Sequence, residues 1–173
     1  MTSKSITAAA IAVLVVGGAV AFAGSMPDAS AAKHPAFDRM KTLEGAWEGK
    51  TQEGKSVSIE YRVISDGSAV MEHLTPAGMS PMVTIYYPDG DRLMMTHYCS
   101  AHNQPRMRAK PAAGEIKSLT FEFVDATNLA SPDAGHMNAL VLTFDGADHL
   151  TQEWTWKDKE QTSKEVFHLG RKK

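Results

Sequence analysis

The side chains best suited to chemistry in this sequence are concentrated in residues 93–102. His97, Cys99 and His102 lie within six positions of each other, and Cys99 is the only cysteine of the chain. Imidazole and thiolate groups are soft ligands that suit copper or zinc. A cysteine beside a histidine can also form a thiol nucleophile with its base. The segment therefore points to a metal site, a thiol site or the polar end of a ligand pocket.

The spacing of these groups argues against a compact metal or thiol site. If the segment begins as a strand, His97 and Cys99 share one face about 7 Å apart, so a single ion could bind both only if the strand bent. The sequence contains no Cys-x-x-Cys and no His-Glu-x-x-His. An apolar site would also leave the thiol inert. We therefore favour a binding role over an enzyme, and keep a copper or zinc site with His73, His97, Cys99 and His102 as an alternative.

The elements that position these groups form an antiparallel meander in sequence order. Runs of alternating apolar and polar residues recur between short turn segments such as 65–67, 88–90 and 145–146. One short helix is predicted over 35–43, because Pro35 suits a first turn and Phe37, Met40 and Leu43 repeat every three residues. We predict an all-β fold: an antiparallel up-and-down barrel of about ten strands, since closure removes exposed edges.

Turn lengths predict which side chains point into this barrel. A three-residue loop at 88–90 would pair Ile85 with Leu93 and place His97 and Cys99 inside. A loop of the same form near 65–67 would pair Tyr61 with Met71. It would also put His73 on the inner face.

The hairpin around Asp145-Gly146 makes Gln152 an inward polar residue beside Trp154. Glu72 and Glu153 are then predicted to face outward, which argues against paired-carboxylate chemistry. A slip of one residue in any hairpin would reverse its assignments.

The predicted interior is a pocket for one small apolar or amphipathic molecule. Aromatic and methionine side chains would bury the ligand, while histidine and glutamine would orient it by hydrogen bonds. Segments 75–81 and 125–135 could act as lids over the barrel mouth. The alternative is a structural or interaction barrel with a filled core. The predicted ligand-binding residues are Tyr61, Met71, His73, Met95, His97, Cys99, Phe121, Phe123, Gln152 and Trp154.

The beginning of the chain is typical of a bacterial secretory signal. Lys4 precedes an uncharged, apolar stretch over 6–22, and 21–23 is an Ala-x-Ala cleavage pattern. We predict a signal peptide at 1–23, a linker at 24–34 and a barrel domain at 35–173. An uncleaved membrane anchor is the alternative. The expected location is therefore periplasmic or secreted, with no stable membrane insertion after cleavage. A formal charge of −2 makes nucleic acid a poor partner.

One motif carries a family resemblance. Gly45, Trp47 and Gly49 form a Gly-x-Trp-x-Gly directly after the predicted helix. This resembles the first strand of calycin-type barrels: lipocalins, fatty-acid-binding proteins and nitrobindins, and exported bacterial lipocalin-like proteins. The longer nitrobindin motif ends in a further glycine, where this chain has Thr51. The lipocalin resemblance implies that Trp47 closes the barrel under a basic residue, here Arg171, by a cation–π contact.

The nitrobindin resemblance implies a second alternative, which is a haem protein. Nitrobindins hold the haem iron with a histidine on the last strand, and His168 corresponds to it. His97 is the other candidate axial ligand in an apolar barrel. The cofactor stays open between none, haem, and copper or zinc.

Overall fold

The computed structural model describes residues 34–109 and 114–173, and it has the predicted all-β architecture. Within these ranges, one short helix precedes ten strands, as expected. The predicted signal peptide and almost all of the linker lie outside the described residues. The elements are α1 (Pro35–Lys41), β1 (Gly45–Thr51), β2 (Ser56–Ile64), β3 (Ala69–Pro76), β4 (Met82–Asp89), β5 (Arg92–Tyr98), β6 (Gln104–Ala109), β7 (Ser118–Thr127), β8 (His136–Phe144), β9 (His149–Asp158) and β10 (Gln161–Arg171).

The ten strands close into a single barrel. Each strand pairs antiparallel with its neighbours in the chain, and β1 pairs with both β2 and β10. Closure satisfies the backbone groups that an open sheet would leave on its edges. Among the described residues, no helix is long and apolar enough to span a membrane.

Helix α1 covers one end of the barrel, which we call the closed end. Pro35 occupies its first turn, and the His34 side chain accepts a hydrogen bond from the Phe37 backbone N–H at 3.1 Å. The first turn of a helix has backbone N–H groups without a partner inside the helix. Pro35 carries no such group, and the His34 side chain pairs with one of the others. Phe37 and Met40 point inward and are buried. The helix thus adds apolar side chains to the core at this end.

Trp47 and Arg171 complete the closed end, as the calycin resemblance implied. Trp47 is 1% exposed, and its indole N–H donates to the Leu43 carbonyl at 2.8 Å. The Arg171 guanidinium lies 4.4 Å from the centre of the Trp47 ring. It also donates to the carbonyls of Glu44 at 2.7 Å and Thr42 at 2.8 Å. A stacked cation that also ties the helix–strand junction to β10 stabilises this closure.

Gly49 explains the second glycine of the motif. A Cβ at this position would lie 2.0 Å from the carbonyl oxygen of His168 on β10. Only glycine permits that approach of the two backbones. Its role in the structure is to let the barrel close between β1 and β10.

The predicted register of β2 and β3 is wrong by one residue. Ile64 pairs with Ala69, so the loop is 65–68, and its first two residues adopt left-handed φ values of 53° and 52°. Tyr61 consequently lies opposite Glu72. Glu72 faces the interior and is fully buried, whereas Met71 and His73 lie on the outer face and are partly exposed. A one-residue slip exchanges the two faces of a strand.

The predicted register of β4 and β5 is also wrong, but only β4 changes face. Asp89 pairs with Arg92 around a two-residue turn that contains Gly90 at φ 63°. The interior side chains of β4 are therefore Met82, Thr84 and Tyr86, not those of Val83 and Ile85. On β5 the expected inner face, which includes Met95 and His97, is buried.

Cys99 follows the end of β5. Its side chain is half-buried and packs against the core.

The predicted inner faces of β8 and β9 agree with the structure. Leu142 pairs with Gln152, and Leu140 with Trp154, all facing inward and buried. Glu153 faces outward, where it accepts a hydrogen bond from Lys164. Much of the interior toward the closed end is filled by large side chains, notably those of Trp47, Tyr61, Tyr86, Leu93, Met95, Met107, Leu119, Phe121, Leu140 and Leu142.

Candidate functional site

Four polar side chains form a row across the inner wall of the barrel. Tyr61 lies opposite Glu72, Glu72 opposite Thr84, and Thr84 opposite His97, on β2 to β5 in turn. Directly opposed residues in antiparallel strands have Cβ atoms about 5 Å apart, so each side chain reaches the next. All four are buried. Such a row is unusual in a barrel interior, because buried polar groups cost free energy unless they are paired. We call it the polar row.

Gln152 joins the polar row from the other side of the interior. The Trp154 indole N–H, which can only donate, donates to Gln152 Oε1 at 2.9 Å. The Gln152 amide N–H₂ therefore faces the row. It donates to the Tyr61 hydroxyl oxygen at 2.6 Å and to Glu72 Oε2 at 2.9 Å. The amide has no freedom to flip, because a flip would leave the indole without an acceptor.

Glu72 is the central acceptor of the network. Its Oε2 also accepts a hydrogen bond from the Tyr86 hydroxyl, with the two oxygens 3.0 Å apart. Burial raises the pKa of the Glu72 carboxyl, while hydrogen bonds from Tyr61, Tyr86, Gln152 and Thr84 act in the opposite direction. Burial, together with the charge of Glu72, raises the pKa of both tyrosines well above the ordinary value, so they stay protonated donors.

His97 ends the polar row. Its Nδ1 lies 2.9 Å from Thr84 Oγ1, and its ring packs on Trp154 with a centroid separation of 4.7 Å. Nε2 is buried and has no hydrogen-bond partner. Burial lowers the pKa of His97 to about 4, so the imidazole is neutral at pH 7. His97 therefore carries one unsatisfied polar atom.

His97 also lines a pocket of about 410 Å³ at the end of the barrel opposite α1. We call it the open-end pocket. Its deep part is made by buried side chains of Leu74, Met82, Trp154 and Phe167 around His97. Its rim carries Glu53, Lys55 and Glu165 and the segment 76–79 of the β3–β4 loop. The full lining is Thr51, Glu53, Lys55, Leu74, Pro76, Ala77, Gly78, Met79, Met82, His97, Met137, Trp154, Glu165 and Phe167.

Two of the ten predicted ligand-binding residues line this pocket, His97 and Trp154. Tyr61 and Gln152 lie behind them in the hydrogen-bond network. Met95 and Phe121 belong to the filled core, and Phe123 is partly buried, with its ring centre 4.6 Å from that of His136 and the two rings tilted by 40°. Met71, His73 and Cys99 lie elsewhere, as described above. Of the two predicted lids, the β3–β4 loop borders the pocket.

The residues predicted for haem or a soft metal do not converge. His168 is exposed on the outer face of β10, where its Nδ1 lies 3.4 Å from the Thr151 hydroxyl. His102 is exposed in the turn after β5, with φ 64°. Burial raises the pKa of the Cys99 thiol. Over the described ranges, no group of three or more His, Cys, Asp or Glu side chains could hold a metal ion. Of the four residues His97, Cys99, His102 and His168, only His97 lines the open-end pocket, and the other three lie away from it.

Sequence reasoning missed Glu72, Thr84 and Tyr86. Each of them fits the alternation of inner and outer residues along its strand, but the assumed turn lengths placed that face of the strand on the outside of the barrel. The available signal was the polar row itself, which has one side chain on each of β2 to β5. These side chains lie opposite one another only in the observed register. Glu72 between Val70 and Leu74, both buried, is the clearest case.

Comparisons with known proteins bear on the fold. No family model matches the chain, and no curated protein matches it. The structure is similar to the crystal structure of Rv2717c from M. tuberculosis, with a TM-score of 0.59 and 12% sequence identity. The match covers 80% of this chain and 98% of that chain. At this identity the likeness supports the barrel architecture alone.

Proposed function

We propose that this protein is an exported calycin-type barrel that binds one small, mostly apolar molecule in the open-end pocket. The observation that carries the proposal is His97 Nε2, a buried polar atom without a partner on a side chain that lines the pocket. An unsatisfied buried polar group costs about 1–3 kcal/mol. A bound molecule with a complementary polar group would recover that free energy.

The shape and lining of the pocket support the same proposal. Its volume of about 410 Å³ lies within the range typical of small-molecule sites. Apolar side chains make its deep part, and the charged side chains stay at the rim. A ligand of the size of a substituted phenol or indole would bury its ring against Trp154 and place its polar group near His97.

The test is binding of 4-ethylphenol, indole and 1-naphthol to the purified protein. We expect at least one probe to bind, to shift the NMR signals of His97 and Trp154, and to raise the melting temperature. At a probe concentration of 100 times Kd, the gain in the free energy of unfolding is about 2.7 kcal/mol. His97→Phe should weaken binding about tenfold by removing the polar contact.

His73→Phe is the matched control, because it makes the same chemical change on the outer face of the barrel. It should leave binding unchanged. If none of the three probes perturbs His97 or Trp154, the barrel has a structural role instead. If added haem gives a strong absorption band that His97→Phe abolishes, the ligand is haem and the proposal is wrong.

Export is the second part of the proposal, and it rests on the apolar segment in residues 1–23. The mass of the protein recovered from its native compartment measures whether that segment is removed. Recovery of the full-length chain from the cytoplasm would contradict export.

A further inference from the structure

We propose that Glu72, acting through Thr84, holds His97 as the tautomer protonated on Nδ1, so that the open-end pocket selects ligands that carry an O–H or N–H donor. The inference rests on the proposed function for its ligand and names the chemistry that the site recognises. Glu72 and Thr84 are positioning residues, since neither lines the pocket.

The first step fixes the direction of the Gln152 amide. Because the Trp154 indole only donates, Gln152 Oε1 is an acceptor and both amide protons are used on Tyr61 and Glu72. Glu72 Oε2 therefore accepts one hydrogen bond from the Gln152 amide and a second from the Tyr86 hydroxyl. This oxygen acts as an acceptor only.

The other carboxyl oxygen of Glu72 faces a different neighbour. Glu72 Oε1 is buried and has no hydrogen-bond partner, so it can still accept one. Thr84 lies directly opposite Glu72, and its hydroxyl is close enough to lower the pKa of the carboxyl. The two donors on Oε2 favour the ionised carboxylate, against the burial that raises the pKa of Glu72, and an ionised carboxylate has no proton to give. The Thr84 hydroxyl proton is then directed to Glu72.

The third step follows from the single proton of a hydroxyl group. If the Thr84 hydroxyl donates its hydrogen bond to Glu72, its oxygen must accept one from His97 Nδ1, which lies 2.9 Å away. Nδ1 is then the protonated ring nitrogen, and Nε2 carries a free lone pair. A ligand that donates to Nε2 gains a hydrogen bond. A ligand that only accepts leaves Nε2 unpaired.

The tautomer can be measured without any ligand. In protein labelled with ¹⁵N-histidine, the ¹⁵N chemical shifts at pH 7 distinguish a protonated ring nitrogen from a bare one, and the His97→Phe variant assigns the signals. We expect Nδ1 to be protonated and Nε2 to be bare. A protonated Nε2 in the wild-type protein would overturn the inference, whatever the pocket binds.

Glu72→Gln gives a sharper test, because it should reverse the tautomer. The amide introduced at position 72 must keep its oxygen toward Tyr86 and Gln152, which both donate. Its N–H₂ then faces Thr84, so the Thr84 hydroxyl proton turns to His97 Nδ1 and the ring proton moves to Nε2. A side chain with a merely structural role would not move this proton. Unchanged ¹⁵N shifts in a folded Glu72→Gln protein would contradict the inference.

Thr84 provides an independent pair of variants in case Glu72→Gln does not fold. Thr84→Ser keeps the hydroxyl and should keep the Nδ1-protonated form. Thr84→Val keeps the shape but removes the relay, so the exclusive Nδ1-protonated form should be lost. If both variants retain the wild-type tautomer, Thr84 does not transmit the effect of Glu72.

Ligand selection is measured with 4-ethylphenol and its methyl ether, 4-ethylanisole, which differ in the donor. The wild-type protein should bind the phenol about tenfold more tightly, and Glu72→Gln should bring the two close to parity, since both oxygens can accept. Equal binding of the two by the wild-type protein overturns the inference but leaves the proposed function standing. If neither binds, the proposed function fails while the ¹⁵N measurement still decides the tautomer.

Discussion

The polar side chains beside the two buried indole rings, Arg171 over Trp47 and His97 on Trp154, differ in how their nitrogen atoms are hydrogen-bonded. At the closed end, side-chain N–H groups of Trp47 and Arg171 donate to backbone carbonyls within the protein. At the open end, the polar row runs inward from Tyr61 and finishes at His97 Nε2, which has no partner. Both ends bury an indole ring beside a nitrogen-rich side chain, so the types of side chain do not distinguish them.

The contrast indicates which end stabilises the fold and which is available for recognition. A polar group that is satisfied inside the protein contributes to stability and has nothing left to offer a ligand. A polar group that is buried, rigidly held and unpaired lowers stability and can gain a partner by binding. Substitutions at the closed end should therefore change stability alone, and substitutions in the deep part of the open end should change binding.

The largest effect is expected at Trp47. Trp47→Ala removes the buried indole and leaves a cavity, which should lower the free energy of unfolding by about 3–5 kcal/mol. Urea denaturation measures this loss. Tyr98→Ala is the control, because Tyr98 is 51% exposed and should cost less than about 1 kcal/mol. Equal losses in the two variants would show that Trp47 does not carry the closure.

The second effect is a pH dependence that originates at the open end. The pKa of His97 is lowered to about 4 in the folded protein, against 6.5 ordinarily. Between these values the unfolded chain binds more protons, so stability rises with pH from 4 to 6.5 and is lost again on acidification. The difference corresponds to about 3 kcal/mol.

Subtraction of the His97→Phe variant isolates this contribution. Glu72 acts in the opposite sense, because its raised pKa lets the folded protein hold a proton that the unfolded chain releases above 4.5. Urea denaturation across pH 4–7 should show a steeper fall in the wild-type protein than in the variant. Parallel curves would mean that His97 is not buried as a neutral side chain.

The third effect returns to the closed end. Arg171→Met keeps the apolar stem but removes the cation over Trp47 and leaves the carbonyls of Thr42 and Glu44 without their donor. We expect a loss of about 2 kcal/mol in the free energy of unfolding and no change in the Kd for 4-ethylphenol. Lys172→Met is the matched control, since Lys172 makes an exposed ion pair with Glu48 and should cost under about 1 kcal/mol.

The smallest effect is expected at the rim of the open-end pocket. Met79 is 56% exposed and lines the pocket from the β3–β4 loop. Met79→Ser should weaken the binding of 4-ethylphenol about threefold through lost apolar contact, with less than about 0.5 kcal/mol change in stability. Met79→Leu should preserve binding in the same calorimetric titration. A larger loss of stability than of affinity would place Met79 in the fold rather than in the site.

The sequence was informative wherever one face of a strand was unambiguous. On β5, Leu93, Met95 and His97 alternate with residues of the outer face, and on β9 the same holds for Leu150, Gln152 and Trp154. Both inner faces were predicted correctly from the period of two. The resemblance of the Gly-x-Trp-x-Gly motif to that of lipocalins likewise implied the contact of Arg171 with Trp47, and the structure has the guanidinium 4.4 Å from the ring centre.

The sequence was ambiguous on β3, where both faces carry apolar side chains. Val70 and Leu74 flank Glu72 on one face, and Met71 and His73 occupy the other. The choice depended on a turn in which Ser65 and Asp66 both adopt left-handed φ. A non-glycine residue rarely does so, and the sequence gives no direct sign of it. The error removed His73 from the site and hid Glu72.

The sequence by itself thus determined the number of strands, their antiparallel order and the short helix, since these follow from local periodicity and turn composition, whereas the closure by Trp47 and Arg171 was implied by a family resemblance. Only the tertiary structure decided that Tyr61, Glu72, Thr84 and His97 form one row and that His97 meets a pocket. The physical reason is that register depends on turn conformations and on pairing between strands. A shift of one residue leaves every local pattern intact and exchanges the interior for the surface.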